Sequence, residues 1–77
     1  MQIQYDPEAD AIYVALQTPH GLVKGDRIDE RRTVCYDERG QMVGVEFLFV
    51  SKGIDLDRMP EAEEIHEALR TFPRAAA

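Results

Sequence analysis

Thr33-Val34-Cys35-Tyr36-Asp37-Glu38-Arg39-Gly40-Gln41-Met42-Val43-Gly44-Val45-Glu46-Phe47-Leu48-Phe49-Val50 is the stretch that decides the fold. Its first five residues alternate, with Val34 and Tyr36 on one face. Asp37 to Gly40 then has the composition of a tight turn, in which Gly40 takes the positive φ that a three-residue hairpin with a bulge requires. From Met42 to Val50 the chain is apolar on both faces. Val43, Val45, Phe47 and Phe49 fall on one, and Met42, Leu48 and Val50 on the other, interrupted by Gly44 and Glu46. Such a strand belongs in the middle of a sheet or under cover on both sides.

Working outward toward the start, Ile12, Val14 and Leu16 alternate with Tyr13 and Ala15, and before them Ile3 and Tyr5 alternate with Gln2 and Gln4. These are two strands, joined by Asp6-Pro7-Glu8-Ala9-Asp10. Proline presets φ near −65° and the Asp6 carboxylate can accept an amide two residues on, so a turn accounts for that segment. Thr18-Pro19-His20-Gly21 is a second turn. Leu22 to Arg31 is mostly polar and charged, as expected of an edge strand.

Toward the end, Ser51 to Met59 forms a connector. Pro60 then opens a helix to Phe72, with Glu61, Glu63 and Glu64 in the first turn, where negative charge favours the helix dipole. Ala62, Ile65, Leu69 and Phe72 make one apolar stripe. Pro73 ends the helix, and residues 73–77 are expected to fray. The expected architecture is α+β: an antiparallel β-meander of about five strands with one C-terminal helix packed on one face, residues 1–72 forming a single domain.

One stripe covers one face. The helix is expected over Ile12, Val14, Leu16, Val43, Val45, Phe47 and Phe49, which leaves Tyr13, Ala15, Leu48 and Val50 on the opposite face as an uncovered apolar patch. Patches of that kind on small domains mark interfaces. A chain of 77 residues also has room for only one thin core, and domains of this size lean on disulfides, metals or association. Cys35 is the single cysteine, which excludes an internal disulfide and fits a reducing cytoplasm. Self-association or a protein partner is therefore expected.

The formal net charge of −6 argues against nucleic acid, whose binding draws its affinity from Lys and Arg on phosphates, and favours a small basic protein partner. No apolar run is long enough to span a bilayer and the N-terminus lacks a signal-peptide pattern, so a cytoplasmic location without membrane contact is expected.

The segments Tyr5-Asp6-Pro7-Glu8-Ala9-Asp10-Ala11-Ile12-Tyr13 and Tyr36-Asp37 to Phe47 resemble a family of short prokaryotic proteins known as domain of unknown function 2283. Its members share a Tyr-Asp-x-Glu-Ala-Asp-Ala-x-Tyr opening, a second Asp-led hairpin turn and a Val-Gly-Ile-Glu-type strand. The resemblance covers roughly Met1 to Ser51 and implies a fold more than an activity. Some members are similar in gene setting to toxin–antitoxin pairs, which implies an antitoxin-like role. The helix lies beyond the shared region.

Several residues invite a chemical reading. Asp6, Glu8 and Asp10 match the spacing of the first ligands of a calcium loop, yet its Gly and bidentate Glu positions hold Ala11 and Gln17. A structural turn is the plainer reading and a weak divalent-cation site the alternative. Glu46 in an apolar strand would need pairing if it faced inward, with Arg27, Arg31, Arg32 or Lys52 as partners, and a shifted carboxyl there would suit acid–base work. Facing solvent or an interface is the simpler role. His20 and His66 are far apart in sequence, Cys35 fits a small buried hydrophobe, and Ser51 lacks a nucleophile elbow. No cofactor is implied. A small carboxylate-based enzyme or ligand-binding protein is the second reading, and it requires two of these carboxylates to converge in one pocket.

Overall fold

In the computed structural model, which describes residues 2–71, strands β1 (Gln2–Asp6), β2 (Ala11–Ala15), β3 (Lys24–Arg27), β4 (Arg32–Tyr36) and β5 (Met42–Leu48) precede helix α1 (Ala62–Thr71). The strands form one antiparallel sheet in the order β1-β2-β5-β4-β3. The doubly apolar strand is central, as its composition requires. The β1–β2 and β4–β5 hairpins form as expected, setting β5 between β2 and β4, and Gly40 takes φ 77° at the second turn.

Both hairpin turns are organised by their leading aspartate. Asp6 Oδ1 accepts the amides of Glu8 and Ala9. Asp37 Oδ1 likewise accepts those of Arg39 and Gln41. The likeness of Ile3–Asp6 to Val34–Asp37 is thus the shared demand of a strand running into an Asp-led turn.

The core lies on one side of the sheet, where Ile12, Val14, Val34, Val45 and Phe47 meet Val50, Met59 and Ile65. Ile65 is fully buried at the centre of the α1 stripe, with Ala62, Ala68 and Leu69 packed around it. Residues expected to serve only as a connector contribute as well: Met59 is buried, and Ile54 and Leu56 pack on the same cluster. The helix therefore shares its covering role with the segment before it.

Several expectations need correction. The helix begins at Ala62 instead of Pro60, because Glu61 is left-handed (φ 58°) and breaks the helical repeat before it starts. Glu63 and Glu64 remain in the first turn, whereas Phe72, Pro73 and the expected frayed tail at 73–77 lie outside the described residues. The edge strand is only Lys24–Arg27, with Leu22, Val23 and Ile28 exposed on either side of it.

Val50 and Met42, placed by alternation on the face away from the helix, both pack into the core. The cause lies in two irregularities at the ends of β5. A register shift sets Cys35 opposite Gly44 but Tyr36 opposite Met42, so Val43 is an extra residue and Met42 turns over. At the other end Phe49 is left-handed (φ 56°) and leads into a 3-10 turn, Val50–Lys52. Parity reverses there, so Val50 is buried while Phe49 is 48% exposed.

Candidate functional site

The face turned away from α1 is built from the residues between the core positions. Cross-strand registers line them up in rows: Gln4, Tyr13, Glu46, Thr33 and Arg27 in one, and Gln2, Ala15, Gly44, Cys35 and Gly25 in the next. Ala11 opposite Leu48 begins a third. The second row is small from Ala15 to Gly25, so it forms a shallow trough across the sheet.

Tyr13 lies down into that trough. A Cβ placed on Gly44 would collide with the Tyr13 hydroxyl and stand 2.8 Å from the Val14 carbonyl oxygen, so only glycine admits the ring. From there the phenol reaches Cys35. Burial pushes the Tyr13 hydroxyl above its ordinary pKa, and the neighbouring Cys35 and Glu46 add to this. Burial likewise pushes the Cys35 thiol up; the Tyr13 hydrogen bond works against the shift, and the Glu46 charge reinforces it. A thiol in that state stays protonated at neutral pH, which suits packing and not nucleophilic attack.

Glu46 stands beside this pair and is exposed. It makes no ion pair among the described residues. Arg27 instead donates to the carbonyls of Asp29 and Glu30, and Arg32 to Asp29 and two carbonyls of the connector. Around Glu46, the side chains of Tyr13, Thr33, Cys35 and Leu48 are only partly covered. Glu46 thus stands at the centre of the face within a ring of small and half-buried groups, with Arg27 at the β3 end of its row and Asp6 at the β1 end of the row through Ala11. Of the expected interface residues, Tyr13, Ala15 and Leu48 are on this face and Val50 is not.

The other predicted carboxylates have structural partners. Asp6 closes its own turn, as above. Asp10 accepts the Ser51 amide at 2.9 Å and the Ser51 hydroxyl at 2.6 Å, tying the first hairpin turn to the end of β5. Glu8 is exposed and gives its amide to Asp6. Among the described residues no group of three or more His, Cys, Asp or Glu side chains is placed to hold a metal.

Shallow clefts lie among the described residues. One, about 420 Å³, lies between Leu16, Gln17, Gln41, Met42, Glu61 and Glu64. Another, about 260 Å³, lies between Gln2, Ala15, Leu16, Gln17, Thr18 and Pro19. Neither is lined by Asp6, Glu8, Asp10 or Glu46, so these clefts do not supply the convergence that a carboxylate-based enzyme needs.

Two charged residues have larger structural roles than the sequence assigned them. Asp37 has a fully buried side chain 3.4 Å from His20 Nδ1. The His20 amide, followed by those of Gln41 and Arg39, holds its carboxyl below the usual range. Arg32, 8% exposed, donates to the Asp29 carboxylate and to the carbonyls of Asp55 and Asp57. A signal for Arg32 did exist, since alternation sets it on the same face as Val34 and Tyr36.

Fold and site together define a small α+β domain whose meander sheet is covered on one face and open on the other, with no helix among the described residues long and apolar enough to cross a membrane. Residues 2–51 match the family described as "Protein of unknown function (DUF2283)", and the chain belongs to that family. The matched span takes in the whole sheet and ends before α1. Neither a curated protein nor a solved structure matches the chain.

Proposed function

We propose that this chain is a protein-interaction module whose contact surface is the open sheet face around Tyr13, Ala15 and Leu48, with Glu46 as its polar anchor. The observation that carries this reading is the asymmetry of cover: α1 and the preceding segment close one face, and no described element lies over the other. A flat face of small side chains suits close approach of another sheet or helix. Its central charge is Glu46 and the chain carries −6 overall, so a basic protein complements it, whereas a second identical face would set Glu46 near its own equivalent. An antitoxin-like pairing with a small basic toxin is the specific form of this function, in keeping with the gene setting of some similar proteins.

Co-purification of the chain with the product of the neighbouring gene tests the proposal. Glu46→Lys and Leu48→Glu, both on the open face, should abolish the complex while leaving far-UV circular dichroism unchanged. A complex indifferent to both substitutions would overturn the assignment of this face. Failure of the wild-type chain to co-purify or to relieve toxicity would remove the antitoxin form.

A further inference from the structure

The β3 edge of the sheet is Lys24-Gly25-Asp26-Arg27, exposed throughout, with charge on all but the glycine. Apolar residues border it. Leu22 is 77% exposed, and Val23 and Ile28 are exposed as well. Just past the strand the Ile28 amide donates to the Arg32 carbonyl. Bonded and unbonded pairs alternate along an antiparallel ladder, so Asp26 opposite Val34 and Lys24 opposite Tyr36 bond toward β4. The N–H and C=O groups of Gly25 and Arg27 therefore point outward, and no described residue pairs with them. Outward groups of this kind are a template for another strand.

We propose that β3 pairs antiparallel with β3 of a second copy of this chain, about a two-fold axis through Gly25, joining the two sheets into one. The axis must pass through a residue, because a one-residue slip would set opposite faces against each other. Centring the pair on Lys24, Asp26 or Arg27 would oppose that charge to its own equivalent. Among the four residues of the strand, only Gly25 avoids this. About Gly25, Lys24 of each copy falls opposite Asp26 of the other, and Val23 falls opposite Arg27. One step beyond, Leu22 falls opposite Ile28.

Charge blunts an edge where like charges must meet. In this register unlike charges meet, in the closely spaced kind of pair that lets side chains touch. Neither Lys24 nor Asp26 has a side-chain partner among the described residues, so both are free to take one. Leu22, Val23 and Ile28 gain cover in the same step. A two-fold axis normal to the sheet keeps both helices on one side. On the other side it runs the small row of Ala15, Gly44, Cys35 and Gly25 into the same row of the second copy. The edge is a separate surface from the ground around Glu46 and Leu48, so the pairing stands or falls independently of the function proposed above.

Light scattering on the full chain after size exclusion should give twice the 8.8 kDa monomer mass. Lys24→Asp opposes carboxylates across the axis and Asp26→Lys opposes ammonium groups, so each variant alone should be monomeric with unchanged far-UV circular dichroism. An equimolar mixture of the two should return to twice the monomer mass, because the acidic edge of one then faces the basic edge of the other. Leu48→Glu, on the open face, should leave the wild-type dimer intact. A wild-type monomer at the highest soluble concentration would overturn the pairing. So would a dimer that survives either charge reversal alone, a mixture that stays monomeric, or a dimer broken by Leu48→Glu.

Discussion

Asp10 and Phe49 face each other one step beyond the last ladder pair of β2 and β5, Ala11 with Leu48, and both are left-handed, with φ of 53° and 56°. The Val50 amide donates to the Asp10 carbonyl at 3.0 Å, and Ser51 donates to its carboxylate. This clasp turns the chain out of the strand and carries Val50 into the core. It also strains two residues, since a Cβ in the left-handed region crowds the following carbonyl.

The strain and the clasp can be separated by substitution. Phe49→Gly removes the Cβ and should stabilise the fold by up to about 1 kcal/mol, net of glycine's greater freedom in the unfolded chain. Asp10→Ala keeps the strain and discards the bonds to Ser51, and should cost about 1–2 kcal/mol. Asp10→Asn, which tolerates the left-handed region and retains an acceptor, should cost less. Urea denaturation of the three variants checks the order. If Phe49→Gly proves strongly destabilising, the aromatic ring matters more than the backbone strain.

Asp37 makes stability depend on acid pH. Its carboxyl is held below the ordinary range in the fold, chiefly by the His20 amide, and Asp29 is lowered in the same direction by Arg32 first and the Arg31 amide second. A carboxyl depressed in the folded state contributes stability that is fully present above its unfolded pKa of about 4 and is lost as pH falls through the folded value. The melting temperature should therefore be flat from pH 7 down to about 5 and fall below about 4. Asp37→Ala should lower it at neutral pH by at least about 5 °C and flatten the acid limb. An acid limb unchanged in that variant would assign the pH dependence to other groups.

Gly44 and Tyr13 together decide how accessible Cys35 is. Gly44→Ala would push the ring out of the trough and also press on the Val14 carbonyl, a backbone atom that cannot swing away, so a cost of about 1–3 kcal/mol is expected. Tyr13→Ala removes the cover without the clash. In that variant Cys35 should react faster with a thiol-specific disulfide reagent. Wild-type reactivity should go on rising past the ordinary thiol pKa, because burial raises the thiol. Equal labelling rates with and without the Tyr13 ring would show that the phenol does not shield the sulfur.

The sequence reveals the strand count, the two hairpins and the covered position of β5 because each rests on local alternation and turn chemistry, from Ile12 and Val14 to Asp37 and Gly40, whereas the pairing of β2 with β5 rests on long-range contact. What alternation cannot reveal is where it is broken. The extra residue at Val43 and the left-handed Phe49 each move one side chain across the sheet, and no composition signal marks either, since glycine is absent from both positions. The open face was legible in Tyr13, Ala15 and Leu48. The lowering of Tyr13 over Gly44 to meet Cys35 was not, because it depends on a cross-strand diagonal that only the register supplies. Met59 was read as connector because its burial follows from a left-handed turn at Arg58 and Glu61, outside any periodic segment.

Arg32 offers the sharpest test of how the connector is held. Its guanidinium donates to the Asp29 carboxylate through Nε and Nη2, and through Nη1 to the carbonyl oxygens of Asp57 at 2.6 Å and Asp55 at 3.2 Å. Lysine keeps the charge but has no planar fork, so it cannot serve the carboxylate and both carbonyls from one position. Arg32→Lys should therefore destabilise by about 1–3 kcal/mol, and Arg32→Ala by at least as much, since both lose charge-assisted hydrogen bonds made by a buried donor. Ile54, Leu56 and Met59 reach the core from the segment that Arg32 pins, so loosening it should expose that segment before the sheet opens. Limited proteolysis of Arg32→Lys should cut first within residues 54–60 under conditions where the wild-type chain resists. If cleavage starts instead at the β2–β3 loop, the connector is held by its apolar side chains, and the guanidinium is incidental to its docking.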